Sequence, residues 1–321
     1  MACYTANLAS GENLLCKTIK TETIKRYLSA AAELSTQTNV ISPLLDVSGK
    51  MSKHIQDVLN EIKRWETVPN RREPLTKPMI LYIIKKGNLL AKSSPDNMYS
   101  SIGDWLVLGL QSGFRRKEWA QDKLFLNKHK DIQRNVDHSP AAFILNDFEF
   151  RGVNNVRINN NSYKEINKAT IVNVKWRFQK NNDNGQIISY TEDKNDPNFC
   201  YVKAAKRIRN RAIKYKLPKN MPLAIFFDKT KNKTVYLNDS HINTVLREAA
   251  TKVYKISKKE DLDKFTSHSI RVGACVLLHS QNITTEDIKF RLRWRSDSYR
   301  MYLRNVIELA ERHKNAVSKA K

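Results

Sequence analysis

The chain reads as an α+β protein, mainly helical, with a small antiparallel sheet in the middle. Three observations predict this. Apolar residues recur three and four apart over most of the length, the period of a half-buried helix. One stretch switches to a period of two: Val172, Val174, Trp176 and Phe178 alternate with Asn173, Lys175, Arg177 and Gln179, as on a strand with one buried face. Asn184-Gly185 follows, a pair suited to a tight hairpin, and Ile187-Ile-Ser-Tyr190 returns. Helices, then a sheet, then helices again is the order of an α+β domain.

In chain order, Thr21 is placed to cap a helix carrying Ile24, Tyr27, Leu28, Ala31 and Leu34 on one face. Residues 36–50 hold turn formers and Pro43. Ser52 opens a second helix with Ile55, Val58, Leu59, Ile62 and Trp65 on one side. Two prolines and a charge cluster then mark a boundary. The expected division is a small all-helical domain over 1–70, a linker over 71–77, and a second domain over 78–321. Thr76 and Pro78 start a helix with Ile80, Ile83 and Ile84. A strongly apolar helix spans about 98–111 and stops at Ser112-Gly113. Phe148 and Phe150, flanking Glu149, open the strand region. Helices are expected again near 198–215, 240–253, 268–280 and 285–291. The last of these carries Thr284 at its cap and Asp287 three residues on. A final helix is expected from about 297 to 318.

Composition narrows the function. The 321 residues include 57 Lys+Arg against 32 Asp+Glu, a net charge of +25. An excess of that size points to a polyanion, most simply nucleic acid. With 40% hydrophobic and 28% charged residues the chain is globular, not disordered. It has no run of about 18 apolar residues and opens on no basic-apolar leader, so no membrane role is expected. Four scattered cysteines suggest reduced thiols inside the cell. Seven histidines without ligand spacing suggest no metal site, and no cofactor is expected. Gly11-Glu-Asn-Leu-Leu-Cys16-Lys17-Thr18 is one residue from a phosphate-binding loop, but Cys16 stands where the second Gly is required and no strand precedes it.

The chemistry concentrates near the end. His268 and Arg271 are three apart and share a helix face. Trp294 follows 23 residues after Arg271, and Tyr302 eight residues after Trp294. Breaking a phosphodiester needs such a set. An arginine grips the phosphate with a two-pronged hydrogen bond. The imidazole and the indole N–H donate to other oxygens, and a tyrosine attacks. On the helix near 198–215, Lys203, Lys206, Arg207, Arg209 and Arg211 form a basic run that suits DNA phosphates. Arg293, beside Trp294, is grouped with these DNA-binding residues.

His268-x-x-Arg271, then Trp294, then Tyr302-Leu-Arg resembles the catalytic end of the tyrosine recombinases, the phage-integrase family. The run Trp294-Arg-Ser-Asp-Ser-Tyr-Arg-Met-Tyr302-Leu-Arg is most similar to enzymes of Crypton-type and DIRS-type mobile elements. Ser112-Gly-Phe-Arg-Arg-Lys-Glu118 resembles the family's Thr-Gly-Leu-Arg-x-x-Glu box. The resemblance implies a DNA breaking-rejoining fold over 78–321 and a core-binding-like, shortened DNA-binding domain over 1–70. It implies site-specific recombination through a 3′-phosphotyrosine on Tyr302, with Arg115, Arg271, His268 and Trp294 on the phosphate and Glu118 in support. Arg116 competes with Arg115, and Tyr299 with Tyr302. The catalytic lysine of a hairpin tip would be Lys180, with Lys175 as runner-up. The family carries Gly two residues before the Trp294 position, where this chain has Leu292. Double-stranded DNA is the implied partner, bound by a homotetramer that exchanges C-terminal helices. The implied location is with DNA inside the cell, in the nucleus if the cell is eukaryotic. A type IB topoisomerase and an inactive, domesticated DNA-binding protein are the alternatives.

Overall fold

A computed structural model of the chain describes residues 2–10, 18–38, 42–66, 71–159, 163–179, 184–295, 297–303, 314, 317 and 318. The chain divides into two compact units, Met1–Asn70 and Arg71–Lys321. The first holds α1 (Ala2–Ser10), α2 (Thr21–Thr38) and α3 (Lys53–Trp65). Leu8, Ile24, Leu28, Leu44, Ile55 and Leu59 make its small core. The apolar spacing of α2 and α3 anticipates their buried faces. In α1, Ala-Cys-Tyr-Thr-Ala-Asn-Leu-Ala-Ser has no helical stripe, and its packing on α3 forms it instead.

The second unit runs α4 (Lys77–Ala91), α5 (Met98–Ser112), α6 (Arg116–Trp119), α7 (Lys123–His129), β1 (Phe148–Arg151), α8 (Tyr163–Ile166), β2 (Ile171–Trp176), β3 (Gln186–Thr191), α9 (Tyr201–Lys214), β4 (Ile225–Asp228), β5 (Lys233–Tyr236), α10 (Asp239–Tyr254), α11 (Lys259–Leu262), α12 (Ser269–Ser280) and α13 (Thr285–Leu292). Asp297–Tyr302 follows as a 3-10 helix. The expected α-helix from 297 therefore starts as a tighter turn, and nearly all of 304–318 lies outside the described residues.

Helix α5 is the axis. It is buried along most of its length and packs against α4, α9 and α12, with Asp104 answering Arg207 and Arg211 of α9. Trp105, midway along it, stacks on Trp119 at 5.3 Å and on Phe143 at 6.3 Å, with Phe114 and Phe148 edge-on. That aromatic knot fixes where α5 ends and hence where Gly113 to Glu118 begin.

The sheet is antiparallel in the order β1-β2-β3, with Phe148 opposite Val174 and Val174 opposite Ile188. The alternation read from the sequence ends earlier than expected. Beyond Trp176, Arg177 leaves the ladder to donate to Asp147 (2.7 Å) and to the Ala142 carbonyl (2.8 Å). Gln179 is buried in place of Phe178. The β4–β5 hairpin was not anticipated. Its Asp228 carboxylate accepts from the Thr230 hydroxyl and the Thr230 and Lys231 amides, closing the turn without Gly or Pro.

Residues 71–76 are not a free linker. The Glu73 amide donates to the Lys264 carbonyl, the Leu75 amide to the Ser269 carbonyl at 2.9 Å, and Arg72 to the Asp263 carbonyl. Leu75 is buried. The segment straps the start of α12, and it lies so close that a Cβ on Gly273 would stand 2.2 Å from the Leu75 carbonyl oxygen.

Candidate active site

Helix α5 stops because Gly113 turns left-handed, φ +54°, its amide closing on the Gly109 carbonyl at 2.7 Å, which glycine tolerates without a Cβ penalty. Phe114 dives into the core, so Arg115 emerges at the N-cap of α6. Its amide donates to Glu118 Oε2 (2.8 Å) and its Nη1 to Glu118 Oε1 (3.1 Å). The competitor, Arg116, pairs with Asp122 at 2.7 Å and is drawn aside.

Helix α12 supplies His268 at its cap and Arg271 one turn on. Arg271 is 5% exposed. Its Nη1 donates to the Gly113 carbonyl at 2.6 Å, and its guanidinium lies 4.6 Å over the Trp294 ring. Burial, then the guanidinium of Arg115, presses its pKa down to about 9 against the pull of Glu118. No carboxylate forms an ion pair with it among the described residues. His268 Nε2 sits 3.0 Å from Tyr302 Oη. The residue stays exposed as a whole. Its ring is nonetheless partly desolvated, and that, with Arg271, Arg72 and Arg115 nearby, holds its pKa below the ordinary histidine value. Burial raises the Tyr302 pKa, while Arg271 and Arg115 pull the other way.

Trp294 is buried, its ring 5.5 Å from that of Tyr302. Tyr299, the alternative nucleophile, is buried with its hydroxyl on Thr285 Oγ1 at 3.3 Å. Leu292 is fully buried. It fills the space a side chain on Gly113 would need, its Cδ2 lying 2.6 Å from that Cβ position. The left-handed turn before Trp294 falls on Arg293, φ +57° and ψ +55°. A residue with a Cβ adopts it at a cost of about 1–2 kcal/mol.

Arg115, His268, Arg271, Trp294 and Tyr302 thus converge, with Glu118 beneath Arg115. Lys180 lies outside the described residues. Lys175 is exposed on β2.

Three expected DNA contacts are corrected by burial. Arg293 has a side chain only 1% exposed. It donates to the Ser112 carbonyl and to Glu118 Oε2, both at 3.0 Å, and stacks 4.1 Å over Trp176. Arg211 is 4% exposed and reaches Asp104 (2.9 Å) and Asp96 (3.4 Å). Arg209 is 1% exposed beside Asn210. A buried cation requires such partners, and these arginines bind the fold together. Arg207 remains half-exposed, its Nε on Asp104 at 2.6 Å. Lys203 is partly exposed, and Lys206 donates to the Asn167 carbonyl at 3.0 Å.

No protein-family model and no curated protein matches the chain. Among solved structures, the Tn1549 transposon integrase in complex with transposon right end DNA matches with a TM-score of 0.50 at 12% identity, over 99% of this chain and 84% of that one. The same integrase with a circular intermediate DNA matches with a TM-score of 0.47 at 13% identity, over 98% and 84%. At 12% identity, the first of these shows a shared fold.

Proposed function

We propose that this chain, whose fold is that of a tyrosine recombinase catalytic domain, is an integrase that cuts and rejoins double-stranded DNA through Tyr302. The observation that carries the proposal is the Tyr302 hydroxyl 3.0 Å from His268 Nε2, beside an Arg271 that forms no ion pair with a carboxylate among the described residues. A scissile phosphate supplies the missing anion.

The phenolic oxygen of Tyr302 attacks phosphorus, and its proton passes to neutral His268. The bond from phosphorus to the 5′-oxygen breaks, leaving a 3′-phosphotyrosine. Lys180 gives its proton to the departing oxygen. Arg115, Arg271 and Trp294 stabilise the charge of the five-coordinate state, each such donor contributing roughly 10²–10³ in rate. A 5′-hydroxyl on a new strand then reverses the step, so bond energy is conserved and neither nucleotide nor metal is consumed. The fold of an integrase and the run from Trp294 to Tyr302 support a mobile-element setting and a place with DNA inside the cell. Assembly on DNA as a tetramer belongs to the same proposal, and the segment it would exchange lies mostly outside the described residues. No helix among the described residues is long and apolar enough to cross a membrane.

The test is to incubate the chain with duplex DNA in EDTA, denature, and look for a covalent protein–DNA adduct. Tyr302→Phe should abolish the adduct and leave DNA binding nearly unchanged, because only the nucleophilic oxygen is lost. An adduct that survives in Tyr302→Phe and vanishes in Tyr299→Phe would overturn the assignment.

A further inference from the structure

The tight turn before Trp294 is an unlikely place for arginine on backbone grounds, since its left-handed conformation favours glycine. The side chain accounts for the choice. Arg293 turns inward, where its guanidinium makes three separate attachments. Nη2 donates to Glu118 Oε2 at 3.0 Å, Nη1 donates to the Ser112 carbonyl at 3.0 Å, and the plane lies 4.1 Å over Trp176 of β2. The same Glu118 carboxylate accepts from the Arg115 amide through Oε2 and from the Arg115 guanidinium through Oε1. One carboxylate therefore joins two arginines, one buried and one facing the site. Without Arg293, Glu118 keeps its bonds to Arg115 but loses the group that fixes its own position.

We propose that Arg293 is a positioning residue that anchors Glu118 and, through it, sets Arg115 for the phosphate. It also ties the end of α5 and strand β2 to the turn that delivers Trp294. The proposal rests on the recombinase function above and adds to it a residue that never touches DNA. A Lys at 293 would keep the charge but lose the planar two-pronged reach. A Gly would ease the backbone and remove the anchor. The two roles open to residue 293, a helix stop or a clamp, thus predict opposite results for Arg293→Gly.

The experiment measures single-turnover formation of the covalent adduct on nicked duplex DNA. DNA affinity by anisotropy and the thermal transition are followed in parallel, using the full chain. Arg293→Gly should slow adduct formation about 10- to 100-fold, as expected when a catalytic group is misplaced by an ångström or less, with DNA affinity unchanged. Arg293→Lys should fall between Gly and the parent. Combining Arg293→Gly with Glu118→Gln should be no slower than the slower single variant, because both act on one link. Cleavage by Arg293→Gly at the parental rate, or losses that multiply in the double variant, would overturn the proposal. If Arg293→Gly loses its thermal transition, Arg293→Lys decides: slower cleavage at parental affinity supports the clamp, and the parental rate refutes it. Absence of any adduct with the parent chain is a separate result, which removes the recombinase function and this proposal with it.

Discussion

Two arginine clusters flank α5 and differ in how their charges are answered. Beside α9, Arg207, Arg211 and Lys214 each reach a carboxylate of Asp96 or Asp104, from 2.5 to 3.4 Å. At the other end, Arg115 and Arg293 share Glu118, and Arg271 donates to the neutral Gly113 carbonyl and forms no ion pair with a carboxylate among the described residues. The first cluster is closed, with attractions spent inside the fold. Among the described residues, the second carries three guanidiniums and one carboxylate, and under the proposed function a scissile phosphate supplies the further anion. A basic run in a sequence is therefore a poor guide to a polyanion site until the carboxylates the fold brings to it are known.

The largest effect concerns the chemistry proposed at Tyr302. Lys180→Ala should be nearly inactive on ordinary DNA, because an alkoxide leaves poorly without a proton. Cleavage should return on DNA with sulfur at the bridging 5′ position, since a thiol ionises with a pKa of about 8.5 and needs no donor. Arg271→Ala should lose roughly 10²–10³ in rate and gain nothing from the sulfur, because its contact is with the non-bridging oxygens. Rescue in Lys175→Ala instead would move the acid from Lys180 to Lys175 on β2.

The closed cluster should fail differently. Arg211→Met leaves Asp96 and Asp104 short of a buried partner, so stability should drop by about 3–5 kcal/mol in a denaturant titration. The slope of log K for DNA against log salt should stay put, whereas Lys203→Ala should flatten it by about 0.9 if that lysine meets a phosphate. A flatter slope in Arg211→Met would reopen that helix face as a DNA contact.

The smallest effect is a titration. His268 has a depressed pKa in the free chain, and an adjacent phosphate raises it. The complex then holds a proton that the free chain lacks between those two pKa values. DNA affinity should tighten as pH falls through that window, whose lower edge lies below the ordinary value of 6.5. His268→Gln should remove this part, a few-fold change by the size of such shifts. An identical pH profile for the parent and His268→Gln would place the imidazole away from the phosphate.

Much of this organisation was legible because it is local. Helices α5, α10, α12 and α13 follow from apolar spacing, caps and stops within one segment, and β2 with β3 from alternation. Asn184-Gly185 is not the tight turn between those strands, since Trp176 pairs with Gln186 across the nine residues 177–185. The residues from Ser112 to Glu118 and from His268 to Tyr302 are legible as short spacings, and the structure brings them together. What was illegible is non-local. Arg211 reads as a surface cation until Asp104, 107 residues earlier, is beside it. Arg293 reads as a DNA contact until Glu118, 175 residues away, takes its charge. Leu292 reads as the loss of a needed glycine, yet the left-handed backbone falls one residue later. No periodicity signals α1 or the β4–β5 hairpin, whose order comes from what packs on them.

The strap of residues 71–76 bears on how the molecule can be cut apart. A fragment of the second unit begun at residue 78, where sequence alone would trim it, lacks the Leu75 amide that bonds Ser269 and the backbone that lies along Gly273. Its α12 would start on an open seam, one turn from Arg271. The natural point of dissection is Arg71, and the six residues before Lys77 belong to the second unit as an edge piece that seals it.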